Sequence, residues 1–577
     1  MAQVIDADVL VVGGGGAALR AAIEAQRAGA RVSLAVKGQL GMSGFRGAGA
    51  TASGTATDRH SFWPITASGE ALEGALDDIL QLGLGMADPS LARIIVEETP
   101  PSRRVLERLG VLFQPRLPVK SGGDDSCEPQ PFRRTGVYLI SPTLAVAVRC
   151  TDCQLHEHTM ITGLLLRDGA CVGAVGVDEQ SGEVTAFRTG AVILGTGGAV
   201  QLFKHNVHPP CVTGDGYAVG YRAGAELMNL EYMQIFLGTP FPTINNVTNW
   251  VWAEKPRVYN ALGEEFLERY LPPGASLAEA MAQAAQHSPF STRDPLSRFI
   301  NVALMKEVIA GRGSAHDGIY MDLTAPGVRV PEERDIWLRY RGIDVRRQPI
   351  EVVVYAMCFH GGLRIDGQAQ TSVPQLYAVG ECAAGPYGAD RHFGNMMSSS
   401  QVFGARAGRH AARAAIASRR APLPREGLAV EEARIAELRA AKGRRKPAEL
   451  RQELQQAAWN HLLAVRTDAG VRRFLQSIRE IHAEGLPDAS APGPRGLVES
   501  LEFQNLLLVG EMVGKAALMR TESRGSHYRE DYPQRDDANW LKSIVIQKAD
   551  DRMAFRTLAL QPDWKDRPGD MHGERWG

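Results

Sequence analysis

The sequence predicts an α/β protein built around a Rossmann-like, dinucleotide-binding domain, with a second segment inserted in it and a helical domain after it. Three observations predict this class. Residues 9–25, VLVVGGGGAALRAAIEA, run from a valine-rich strand through a glycine turn into an alanine-rich helix. Buried-strand patterns ending in glycine recur at 191–198 and 376–381. From 428 to 520 the chain is charged and helical, with little β signal.

In the first element Gly13 permits the tight turn and Gly15 lets a pyrophosphate approach the backbone. Ala18 allows close helix–strand packing, and Gly16 belongs to the same cofactor-binding turn. The next strand, ARVSLAVKG, ends at Lys37 and leads into a glycine-rich loop, Gly38 to Gly54. Residues 70–115 have helical spacing, and 154–194 read as a strand meander beginning LHEHTMITGLLL. Residues 240–350 change character, with Pro clusters and several Trp, including Trp250 and Trp252 as core or lining of an inserted domain. At EVVVYAMCF the strand pattern returns. The expected division is 1–240 and 351–425 for the two parts of the cofactor domain and 241–350 for the insertion. Residues 426–541 form the helical domain, and 542–577 a tail with a strand pair near 542–560.

Bulk properties exclude several classes. The 577 residues exceed one hydrophobic core. A net charge of −1 and no basic stripe point away from nucleic acid. No apolar run reaches the roughly 18 residues of a membrane span, and the first strand, starting at about Asp6, leaves no room for a targeting peptide. A cytoplasmic protein is expected. The seven cysteines are odd in number and scattered, which argues against a disulfide scaffold. Cys150 and Cys153, the one close pair, read as two small core residues, with a redox pair as the alternative. No metal set has ligand spacing, so any iron–sulfur cluster belongs to another chain.

Later motifs add to the first. They are GTGG at 195–198, TGDG at 213–216, LYAVGE at 376–381, GADRHFGN at 388–395 and ALMRTESRGSHYREDYPQRDDANWL at 517–541. In this order the chain resembles the flavoprotein subunit of succinate dehydrogenase and fumarate reductase, with L-aspartate oxidase and the adenylylsulfate reductase flavoprotein as relatives. The resemblance implies FAD, an α+β capping domain inserted in the FAD-binding domain, and a C-terminal helical domain. It implies FAD contacts at Gly13, Gly15, Ala18, Lys37, Thr196, Gly197, Asp215, Glu381 and Asn395. It also implies that the Ser43–Ala52 loop, including Ser43 and Gly44, lies along the isoalloxazine.

The departures are as informative. Where relatives carry Ser-His-Thr for covalent FAD, this chain has Ser43-Gly44-Phe45, so dissociable FAD is expected. The QFHPTG pattern has Phe236 in place of its His, and the CHYMMGG pattern has Met357 in place of a second His. In the GERFMERY pattern Glu265 replaces an Arg read as the proton donor, whereas Arg391 keeps the Arg of HGANRLGGN. The remaining catalytic candidates are Arg391 as an anion fork, His360 and His392 as proton carriers, and Arg257 as a replacement cation. The leading expectation is an FAD-dependent oxidoreductase moving hydride between flavin N5 and a small anionic organic substrate; a second reading within this class passes the electrons to a ferredoxin-like iron–sulfur partner. The alternatives are ordinary fumarate reductase or succinate dehydrogenase activity, and a flavin-binding scaffold whose catalysis has decayed.

Overall fold

The computed structural model describes residues 3–42, 70–115, 135–138, 140–242, 244–247, 249–287, 289–391, 395–418 and 420–560. Its centre is a parallel five-stranded sheet in the order Leu376–Ala378, Ala191–Leu194, Val9–Val12, Val32–Val36 and Gln154–Glu157. The three middle strands are buried throughout. That explains the unbroken apolar runs of Val9–Val12 and Ala191–Leu194, since a parallel sheet is covered on both faces. The first helix, Gly16–Arg27, packs closely along the helix Asn395–Ala417. Small residues permit this: a Cβ on Gly404 would lie 2.7 Å from the Ala17 carbonyl, and one on Gly408 would lie 2.3 Å from that of Ala21.

The meander divides between two sheets. Gln154–Glu157 joins the parallel sheet, while Thr159–Arg167, Ala170–Asp178 and Val184–Arg188 form an antiparallel sheet with Gln3–Asp6 at its edge. The single strand expected at LHEHTMITGLLL is broken at His158, whose φ of +56° reverses the backbone. A third sheet contains Asn245–Asn246, Met233–Thr239, Ile350–Phe359, Ile319–Asp322 and Arg257–Tyr259. It takes in strands on both sides of 241–350, and the EVVVYAMCF strand is central to it. Trp252 is buried in its core and Trp250 packs against it.

The helices Arg425–Ala440, Pro447–Leu462, Asp468–Glu480 and Gly493–Met519 follow. The expected terminal strand pair is the hairpin Lys542–Ala549 and Arg552–Ala559, which pairs with Leu227–Met228. The 517–541 motif makes buried ion pairs. Arg520 bonds Glu231 and Glu522, each at 2.8 Å, and Arg524 bonds Glu522 at 2.8 Å. Such charges are held only because each is paired and hydrogen-bonded. Cys150 is exposed rather than part of the core, because it lies just past the end of the helix Ile140–Arg149; Cys153 is half-buried. No helix among the described residues is long and apolar enough to cross a membrane.

Candidate active site

One cavity is lined by the first glycine turn, by residues after the parallel strands, and by part of the third sheet. Gly13 has φ +116°, and a Cβ there would stand 2.3 Å from the Gly195 carbonyl oxygen. Only glycine fits that crossing. Behind it, a Cβ on Gly195 would lie 2.8 Å from that of Ala18, so the small residues at 18 and 195 bring helix and strand together. Gly15 caps the first helix without a side-chain hydrogen bond, and Gly13 to Gly16 line the cavity. The first-turn N–H groups of such a helix suit a phosphate.

Gln401 was not singled out by sequence. It is fully buried and lines this cavity, and neither its amide nitrogen nor its oxygen has a hydrogen-bond partner. The nitrogen lies 3.1 Å from where a Gly16 Cβ would stand. A buried amide left unpaired is costly, so this one is suited to a ligand. Glycine cradle, uncapped helix start and orphan amide together fit a dinucleotide pyrophosphate.

Lys37 and Asp215 line the same cavity and pair at 2.7 Å. Lys37 also pairs with Glu502 at 2.6 Å, and Asp215 accepts from Thr213 and Asn505, each at 2.9 Å. Burial alone would lower the Lys37 ammonium; the two carboxylates outweigh it and raise its pKa above the usual lysine range. Burial raises Glu502, opposed by Lys37. Thr196 accepts from the Gly216 N–H at 3.1 Å, and Gly197 has φ +80°. Glu381 accepts from the Phe359 N–H at 2.8 Å and lies against Gly198. Asn395 is buried at the start of its helix and accepts from Ser398; its neighbours Met396, Met397 and Ser400 line the cavity, and it does not.

Arg391 is only 6% exposed, lines the cavity, and donates to the Cys358 sulfur at 2.9 Å. Burial opposes its charge, but Cys358, Tyr387 and Glu381 raise its pKa above the usual value. Burial pushes the Cys358 thiol up to about 11 against the lowering effect of Arg391, so it is protonated at neutral pH. His208, also missed by sequence, lines the cavity with Nδ1 3.6 Å from Glu381. Its only signal was the HPP preceding CVTGDG. Burial, with a smaller contribution from Arg391, holds its pKa below the usual histidine value.

Two catalytic candidates lie elsewhere. His360 is buried beside Arg391 but does not line the cavity; burial first, then Arg391, pushes its pKa far down, so it is neutral. Arg257 is not brought to the cavity. Its side chain is 53% exposed and pairs at 2.7 Å with Glu265, itself 63% exposed, and it lies over the Tyr259 ring. The strand Arg257–Tyr259 pairs with Ile319–Asp322 at the edge of its sheet and turns both charges to solvent. Glu265 therefore does not repel an anion in the site. Ser43, Gly44 and His392 lie outside the described residues. No group of three or more His, Cys, Asp or Glu among the described residues is arranged to hold a metal.

Known proteins agree with this architecture. The family described as FAD binding domain matches residues 8–397, and that described as Fumarate reductase flavoprotein C-term matches residues 451–566. A subunit of the fumarate reductase (CoM/CoB) of Methanothermobacter marburgensis is 32% identical over 95% of this chain and 98% of its own length. L-aspartate oxidase of Streptomyces coelicolor is 30% identical over 99% of this chain and 96% of its own. The structure of Mycobacterium smegmatis Sdh1 in complex with UQ1 superposes with a TM-score of 0.79 at 28% identity, over 96% of this chain and 94% of that one. With its glycine cradle, its cavity and its C-terminal domain all accounted for, the chain belongs to the fumarate reductase and succinate dehydrogenase flavoprotein family and is an FAD-dependent oxidoreductase.

Proposed function

We propose that this oxidoreductase exchanges two electrons with a small organic anion anchored by Arg391. One observation carries the reading: a buried arginine lines the same cavity as the dinucleotide glycines. Bound FAD supplies hydride chemistry. Gly13 to Gly16 and Gln401 would hold the pyrophosphate, and Glu381 would accept from sugar or ribityl hydroxyls. Arg391 offers a planar fork to the substrate anion and keeps its charge when buried. Reduction of an activated C=C bond breaks its π bond; reduced FAD, when bound, would supply the hydride to one carbon, and the other carbon would take a proton. Cys358 carries a proton at neutral pH and accepts a hydrogen bond from Arg391, so it is a proton source beside the anion site.

The FAD is proposed to be dissociable, because the sequence at 43–45 offers no histidine for a covalent bond. Acid precipitation should leave the flavin in the supernatant. The physiological electron carrier is proposed to be a separate iron–sulfur protein, since several relatives are named as subunits; its co-purification tests this. The central experiment is anaerobic. The bound flavin is photoreduced, candidate anions are added, and reoxidation is followed by absorbance. Reoxidation that is lost in Arg391→Met supports the reading. Reoxidation unchanged in that variant refutes it.

A further inference from the structure

An apolar cluster adjoins Arg391. Val207, Phe236, Tyr355, Met357 and Cys358 form one buried cluster, with Met396 packed against it. Phe236 and Tyr355 stack with ring centroids 6.3 Å apart. Met357, Cys358 and Met396 reach the cavity wall that also carries Arg391, and Arg391 touches Cys358 directly. The anion anchor and the apolar surface are therefore adjacent.

This arrangement suits a ligand with one charged end. A carboxylate on Arg391 would direct the rest of the molecule over methionine and cysteine side chains. A second carboxylate there would lose its hydration against sulfur and methyl groups, and among the described residues this stretch of wall offers it no second cation. An alkyl body would gain by burial, and methionine adapts to varied apolar shapes.

Resting on Arg391 as the anion anchor, we propose that the substrate class is an unsaturated monocarboxylate with an apolar body, rather than a dicarboxylate. Burial of each methylene should tighten binding by about fourfold until the apolar surface is filled. Fumarate should bind more weakly than a 2-enoate of equal chain length.

The test uses the oxidised, FAD-loaded protein. Crotonate, 2-hexenoate, 2-octenoate and fumarate are titrated, with the flavin absorbance change and calorimetric heat as readouts. The expected result is affinity that rises from crotonate to hexenoate by more than tenfold, with fumarate weakest. Met357→His, which places a polar, protonatable ring on the apolar wall, should raise the fumarate-to-hexenoate affinity ratio by at least tenfold. Arg391→Lys should weaken all four ligands together. Tighter fumarate binding with no dependence on chain length overturns the proposal but leaves the anion anchor standing. Failure of every ligand to bind, or affinities unchanged in Arg391→Lys, overturns the anchor and the proposal with it.

Discussion

Replacing Gln401 by leucine should stabilise the protein without FAD and weaken its hold on FAD. The side chain is fully buried, both amide atoms lack partners, and its nitrogen points at the start of the first helix. An unpaired buried amide costs about 1–3 kcal/mol, and a hydrogen bond to a charged group contributes about 1.5–3 kcal/mol. Leucine has similar volume and no polar atoms, so the FAD-free protein should gain about 1–2 kcal/mol. The same change removes one donor to the pyrophosphate and should raise the FAD Kd about 10–100-fold. The two effects cross under linkage. At free FAD about 100 times the wild-type Kd, binding adds about 2.7 kcal/mol, and a tenfold weaker Kd removes about 1.4 of that. The loaded variant should therefore unfold close to wild type, while the FAD-free variant unfolds at higher urea. Urea titrations of stripped and loaded protein, with FAD affinity from quenching of flavin fluorescence, measure both. Gln401→Glu adds a negative charge beside the phosphates and should lose affinity more steeply. A stripped Gln401→Leu protein that is less stable than wild type, with FAD affinity within about twofold, would refute the reasoning.

Gly13→Ala places a Cβ 2.3 Å from the Gly195 oxygen at φ +116°; it should be purified largely without flavin, as the ratio of flavin to protein absorbance will show. Lys37→Met leaves two buried carboxylates without their shared cation; it should lose about 3–5 kcal/mol by chemical denaturation, and Lys37→Met with Glu502→Gln should recover most of it. Arg257→Ala removes a solvent-facing pair; kcat/KM with any substrate found should stay within about twofold, and a loss of about 100-fold would restore Arg257 to the site. Glu307 accepts from Arg312, Tyr270 and Asn260, and the Arg312 bonds chiefly hold its carboxyl near 2 against an ordinary 4.5. Its contribution is full above pH 4.5 and is lost as pH falls towards 2. Glu307→Gln should therefore cost roughly 2–3 kcal/mol at about pH 6 and flatten that acid limb of the stability profile.

What the sequence made legible was set by local geometry. Gly13 and Ala18 act within one strand–turn–helix unit, so their spacing alone stated their roles. Lys37 and Asp215 were legible as cavity residues because each follows a recognisable strand or opens a helix. Gln401 was not, because nothing in SSSQVFG shows that this turn of the helix faces Gly16. His208 was hidden for the same reason: its partner Glu381 belongs to another strand. Arg257 misled by its nearness in sequence to the GEEF segment, since the pairing of Arg257–Tyr259 with Ile319–Asp322 decides which way the side chain faces. His360 follows the end of the Ile350–Phe359 strand, and only the fold shows that burial, with Arg391 beside it, keeps it neutral.

The helical domain supports the wall of the candidate cavity, and its charges show why. Glu502 and Asn505, both on Gly493–Met519, reach Lys37 and Asp215 across the domain boundary. Without that helix, Lys37 keeps only one carboxylate, and a buried ammonium so placed sits at a substantial desolvation penalty. The same helix ends at Met519, immediately before Arg520, whose buried pair with Glu231 lies two residues before the strand Met233–Thr239. One helix thus spans from the Lys37 cluster to the buried arginines beside the sheet that carries Met357 and Cys358. Flavin binding and the apolar substrate wall therefore share a support, so deleting the helical domain should cost FAD affinity as well as stability.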